Sequence, residues 1–294
     1  MAIAMGSPAG AAADGGAGAV QRYYRRFTPI ERVLHVLLML TFVGCALSGL
    51  PLIFADRPWA ATLARTLGGF EGARLIHRLC AAVMIMVFVS HVAMVFYKAI
   101  FSGTLMKVLW GPNSMVPQLQ DGTDIYRNFL WFIGRGPRPQ FDRWTYWEKF
   151  DYWAVFWGML IIGGSGLLLW FPVFFANVLP GWMFNIAALV HGEEALLAVG
   201  FIFTFHFFNV HFRLEKFPMD PVIFSGRISK SEMLVERKRQ YDRWVAEGTV
   251  DQHRVKDEWL SWKRIALPAG FIAFLIGLAI VIMIYAAMYS RLLH

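Results

Sequence analysis

Five stretches of the chain run for about 20 residues with almost no charge, the length that crosses a bilayer core as a helix. They fall approximately at 33–54, 75–97, 152–174, 189–212 and 265–289. Polar residues collect between them, so the pattern predicts an all-α membrane protein of five spans joined by charged loops. The first and third stretches open alike. Thr28-Pro29-Ile30-Glu31-Arg32 aligns without a gap on Thr145-Tyr146-Trp147-Glu148-Lys149, and each Glu is followed 17 residues later by Ser-Gly-Leu, at Ser48 and at Ser165. Thr-x-x-Glu before an apolar run is a capping box, which satisfies the free amides at a helix start. The second and fourth stretches each carry two histidines, His77 with His91 and His191 with His206, spaced 14 and 15 residues apart. Spans 1–2 and 3–4 therefore read as two repeats forming a four-helix bundle, with a fifth, C-terminal transmembrane helix appended.

The expected divisions are a flexible Ala/Gly-rich tail over 1–24, the bundle over 25–215, a charged segment over 216–264, and the fifth helix with the C-terminus over 265–294. Small residues (Gly44, Gly49, Gly163, Gly164, Gly166) either let helices approach closely or make room for a flat cofactor.

Composition agrees: 57% of residues are hydrophobic and 16% charged, with mean hydropathy +0.48, against about 25% charged in soluble domains. The net charge of +8 is a topology signal. The N-terminal flank, the 98–150 loop and the 213–264 segment hold four, seven and twelve basic residues, so 23 of the 28 lie on one side of the predicted spans. The positive-inside rule then puts the N-terminus in the cytoplasm and the C-terminus outside. Nothing requires nucleic-acid binding. The two cysteines, Cys45 and Cys80, cannot hold an iron–sulfur cluster, and no CxxCH exists for covalent haem.

The histidines carry the chemistry. Ionisable groups inside a bilayer are costly and usually functional, and neutral imidazole is a common axial ligand of haem iron. Fourteen helical residues rise about 21 Å, so each paired helix offers one imidazole towards each face. His77 and His191 occupy matching outer positions. His91 and His206 lie near the inner ends, and His35 lies at the same depth on span 1, where its repeat partner is Tyr152. Three histidines thus compete for two inner axial positions, and the duplication alone favours His91 with His206. His211 reads as an interfacial side chain, with a third haem as the alternative. His253 and His294 receive no role. Glu148 and Asp151, at the entry of span 3, are candidate proton groups for a quinone site, against a structural reading of Glu148 and Glu31 as capping residues. Glu193 and Glu194 are expected at the outer surface, and the Trp/Tyr-rich run 144–157 forms an interfacial belt.

Glu31-Arg32-x-x-His35 with Ser48-Gly49, Leu75-Ile76-His77, and the His191-to-His206 spacing resemble the di-haem cytochrome b family of formate dehydrogenase gamma subunits and nickel–iron hydrogenase b subunits. The similarity covers about residues 25–215. It implies a four-helix bundle in a bacterial inner (cytoplasmic) membrane, with two b haems passing electrons between a quinone and an extracytoplasmic iron–sulfur or multihaem cytochrome subunit. It pairs His77 with His191 at the outer haem and His35 with His206 at the inner one. His91 has no obvious equivalent in the formate dehydrogenase type. The fifth span and Gly111–Pro117 look more like larger cytochrome b subunits. Two other functions remain open: a haem-bearing anchor for soluble subunits, and a transporter with histidine proton relays. Parallel repeats disfavour the transporter, since inverted repeats and broken helices would mark one.

Overall fold

A computed structural model describes residues 22–101, 105–213, 215–256 and 259–292. Of the expected tail, residues 1–21 lie outside the described residues, as does His294. The protein is an all-α, multi-pass membrane protein. Its long apolar helices are α1 (Pro29–Ile53), α2 (Gly69–Phe101), α4 (Tyr146–Trp170) and α5 (Trp182–Phe212), with Pro268–Ala286 inside α8 (Trp259–Leu292). Between α2 and α4 lies the amphipathic α3 (Leu119–Phe132), and between α5 and α8 lie α6 (Lys230–Glu236) and α7 (Lys238–Ala246).

Both repeats start as their sequence dictates. Thr28 Oγ1 accepts from the Glu31 amide at 3.3 Å while the Glu31 carboxylate accepts from the Thr28 amide at 2.7 Å. Thr145 and Glu148 repeat this at 3.3 and 2.8 Å. Four free donors open every helix, so these two boxes mark one common level, the capped end of the bundle.

α1 lies along α2, and α4 along α5. Gly44 permits the first approach, since a Cβ there would meet Cys80 Sγ at 2.5 Å. The second repeat differs from the first by π turns, at Met159–Gly163 in α4 and at Ile202–His206 and Phe208–Phe212 in α5. A π turn closes i→i+5 bonds and accommodates an inserted residue. The turn ending at His206 falls within the interval that is one residue longer than its counterpart from His77 to His91.

The fifth helix is built into the bundle. Ile280 and Ile284 of α8 share a core with Ala46 and Leu50 of α1, with Phe54 just past its end, and with Val199 and Phe203 of α5. Gly277 is the contact point: a Cβ there would sit 2.5 Å from the Phe203 ring and closer still to Phe207. Gly277→Val should therefore overpack this seam and cost about 1–3 kcal/mol, seen as a lower Tm of the detergent-solubilised protein.

The capped end carries structure that the hydrophobic pattern did not predict. Tyr23–Arg25 forms β1, the centre of a three-stranded antiparallel sheet with β2 (Arg227–Ser229) and β3 (Arg254–Val255), in the order β2-β1-β3. Tyr24 pairs with Ile228 and Arg254, and packs with Met233 and Trp244 in a small core. His253 stacks on Trp244 with ring centres 4.0 Å apart. The charged segment is thus joined to residues of the N-terminal flank. Its ion pairs reach other loops as well: Arg239 pairs with Asp124, and Arg243 with Asp142 at 2.7 Å.

At the centre of this cap, Glu148 Oε1 accepts from Arg26 at 3.2 Å and from Arg237 at 2.8 Å. Burial pushes the Arg26 guanidinium down to about 9. Burial also pulls on Arg237, but Glu148 and Glu236 more than offset it and hold its pKa above the ordinary value. Both guanidinia stay cationic at neutral pH, and Arg26 also stacks over Trp144 at 4.4 Å.

Candidate functional site

Two histidine pairs face each other across the bundle at different depths. His77 on α2 meets His191 on α5 with ring centres 6.0 Å apart and planes at 80°. Nearer the capped end, His35 on α1 meets His206 on α5 at 6.4 Å and 36°.

The outer pair explains the Ser-Gly repeats. His77 Nδ1 lies 3.1 Å from the Cys45 carbonyl and 3.3 Å from Ser48 Oγ. His191 Nδ1 lies 2.9 Å from the Ile162 carbonyl and 3.4 Å from Ser165 Oγ. Each carbonyl belongs to the residue three before the serine, so the two supports are equivalent. A carbonyl only accepts, which places the ring proton on Nδ1 and leaves Nε2 as the lone-pair nitrogen, the usual arrangement of a ligating histidine. The next residue makes room for the ring. A Cβ on Gly49 would sit 3.1 Å from His77 Cε1, and one on Gly166 would sit 2.9 Å from His191 Cε1. Gly166→Val should push the His191 ring out of register while leaving every histidine in place.

At the inner level, His206 Nδ1 lies 3.1 Å from Asp151 Oδ2, a carboxylate–histidine contact of the kind that orients a metal ligand. His35 Nδ1 is buried and has no hydrogen-bond partner among the described residues. His91 is elsewhere: its Nε2 lies 3.0 Å from the Tyr152 hydroxyl on α4. The pairing of His91 with His206 that the duplication suggested is therefore not the one found. The repeats explain why. His35 and Tyr152 each lie seven residues past their capping threonine, and His206 and His91 are the inner histidines of the paired helices. His35–His206 and Tyr152–His91 are thus equivalent contacts, each joining the first helix of one half to the second helix of the other.

The geometry tests whether haem iron suits these pairs. Metal–imidazole bonds of about 2.0 Å put the ring centres of two axial imidazoles roughly 6 Å apart, as in both histidine pairs. The His91–Tyr152 contact, at 3.0 Å, is too short for a pair of opposed axial ligands on one iron, which needs roughly 4 Å between its two donor atoms. Among the described residues no group of three or more His, Cys, Asp or Glu could hold a metal ion. The pairs suit a metal whose remaining ligands arrive with it, as porphyrin nitrogens do.

The other expected site residues fall as follows. Asp151 is the partner of His206. Glu148 is committed on both oxygens, one to Arg26 and Arg237 and the other to the Thr145 amide and hydroxyl, which suits it poorly to carrying protons. His211 is buried between Phe207 and Phe274, with Nδ1 2.8 Å from the Pro218 carbonyl. Glu194, expected at a membrane surface, lies well inside α5 rather than at its end. The indole of Trp157 donates to it at 3.3 Å, and Trp157 lies midway along α4. Sequence reasoning also missed the Gly111–Pro117 loop as a lid on the start of α4: Trp144 donates to the Asn113 carbonyl and Trp153 to the Met115 carbonyl, both at 3.0 Å. The interfacial spacing of those tryptophans was the available signal.

No family model matches the chain, and no curated protein matches it.

Proposed function

We propose that this chain is a membrane cytochrome b subunit that passes electrons between a quinone or quinol near the capped end and a redox partner at the opposite end. The observation that carries the reading is the two imidazole pairs, each with the separation that a bis-histidine iron requires. His77 with His191 would hold the outer b haem, and His35 with His206 the inner one. When bound, haem supplies reversible one-electron exchange at iron.

The chain's own residues prepare the pairs. Cys45 and Ile162 carbonyls fix the outer tautomers, and Asp151 makes the His206 imidazole a stronger donor. Gly49 and Gly166 hold the rings close to α1 and α4, and the apolar walls exclude water. The excess of Lys and Arg at the capped end supports a cytoplasmic location for it, in a bacterial inner membrane with the C-terminus outside. The redox partner there would be an iron–sulfur or multihaem cytochrome subunit. Electron movement between the two levels would be coupled to the membrane potential.

Absorption spectroscopy tests the reading. The purified protein should show a reducible b-type spectrum, and a menaquinol or ubiquinol analogue should reduce it rapidly. Absence of the band would overturn haem binding. A band that quinol cannot reduce would leave a haem-bearing anchor instead.

A further inference from the structure

The inner layer of the bundle contains the same interhelical contact twice, and only one copy is a histidine pair. The other, His91 with Tyr152, places two polar side chains inside the membrane too close together to be the axial pair of a haem iron. We propose that His91 and Tyr152 form the headgroup site of the quinone, on the α2/α4 side of the bundle; this rests on the electron-transfer reading above.

Depth is the first argument. Tyr152 lies as far past its helix cap as His35 does, so the pair sits level with the inner histidines. Chemistry is the second. A quinone headgroup presents carbonyl oxygens that accept hydrogen bonds, and a quinol presents hydroxyls that donate. When His91 Nε2–H donates to the Tyr152 oxygen, the Tyr152 O–H can donate to the first; in the other tautomer, opening of that bond leaves His91 Nε2 to accept from the second. If the quinol proton transfers, its O–H bond breaks and an N–H bond forms, leaving a quinolate beside an imidazolium. Surroundings are the third. Phe156 lies 5.0 Å from both Phe88 and Tyr152, and 5.2 Å from Trp153, measured between ring centres, which gives aromatic walls to a flat ring. His91 and Tyr152 are only partly buried, and Trp153 beside them is 41% exposed on a membrane-spanning helix, so a lipid-borne molecule can reach them. Finally, the nearby acids are otherwise engaged, Asp151 with His206 and Glu148 with its arginines.

A purely structural His–Tyr bond between helices would contribute stability and no ligand binding. Photolabelling separates the two. The full chain in lipid nanodiscs is titrated with a short-chain azidobenzoquinone, irradiated, and mapped by mass spectrometry. Label is expected on the Phe88–His91 or Tyr152–Phe156 peptides, displaced by the same quinone lacking the azide. Tyr152→Phe and His91→Gln, which preserve shape, should each weaken half-maximal labelling about tenfold, the value of one lost hydrogen bond to a ligand. Their b-type absorbance should match the parent. Label confined to other helices, parent-like titrations in both variants, or loss of haem in His91→Gln would overturn the proposal. A parent protein with no b-type band would defeat the electron-transfer reading by itself, whatever the labelling shows.

Discussion

His191→Ala is expected to retain about half of the parent's b-type haem, because it removes one of the two axial ligands proposed for one of the two proposed sites. The remaining signal should belong to the His35–His206 site, whose ligands and Asp151 support are untouched. His77→Ala should give the same result. The two rings hold equivalent hydrogen bonds in equivalent repeats, so neither is the spare ligand. Haem content by pyridine haemochrome, together with the low-spin signals in electron paramagnetic resonance, reads this directly. Full haem content in both variants would remove the outer-site assignment. Gly166→Val provides a control that keeps all eight histidines. It should weaken the outer signal through displacement of His191, and an unperturbed outer signal would mean that the ring is not held against α4 as described.

Glu148→Ala should destabilise the capped end by about 3 kcal/mol, the lower part of the range for breaking a buried ion pair by removing one partner. The lower part is appropriate because the Glu148 side chain is 27% exposed, whereas those of Arg26 and Arg237 are 3% and 7% exposed. The loss is compound. Two buried guanidinia lose their shared acceptor, and the Thr145 cap loses its reciprocal bond. Glu148→Gln retains an acceptor for the cap but not the charge, so it should fall between the parent and the Ala variant. Hydrogen exchange of the β1 and β2 amides, read beside Tm, locates the effect. Parent-like exchange and Tm in Glu148→Ala would show that the cluster does not hold the sheet to the bundle.

Much of the fold was legible because it depends on local facts. Apolar length located all five spans, and Thr28/Glu31 and Thr145/Glu148 located the starts of two of them. The duplicated Ser-Gly was visible too, but its purpose was not. Only the packed structure puts Gly49 against His77 and Gly166 against His191. The N-terminal strand was hidden because Tyr23–Arg25 is three residues long and pairs with residues more than 200 positions away. Glu194 was misplaced because helix starts were read from apolar length: α5 begins at Trp182, well before the apolar count suggested, and that brings Glu194 to mid-span.

The sequence by itself determined that the protein crosses a membrane, that it contains two related helix pairs, and that its histidines lie at two levels. Those properties follow from composition, caps and spacing along single helices. The histidine spacing left His35 and His91 competing for His206, with the family resemblance favouring His35, and the tertiary structure puts His35 against it. Partnership depends on how four helix faces are turned towards one another, and a π turn ending at His206 lies in the one interval between paired histidines that carries an extra residue. The result gives His35 to His206 and leaves His91 to Tyr152.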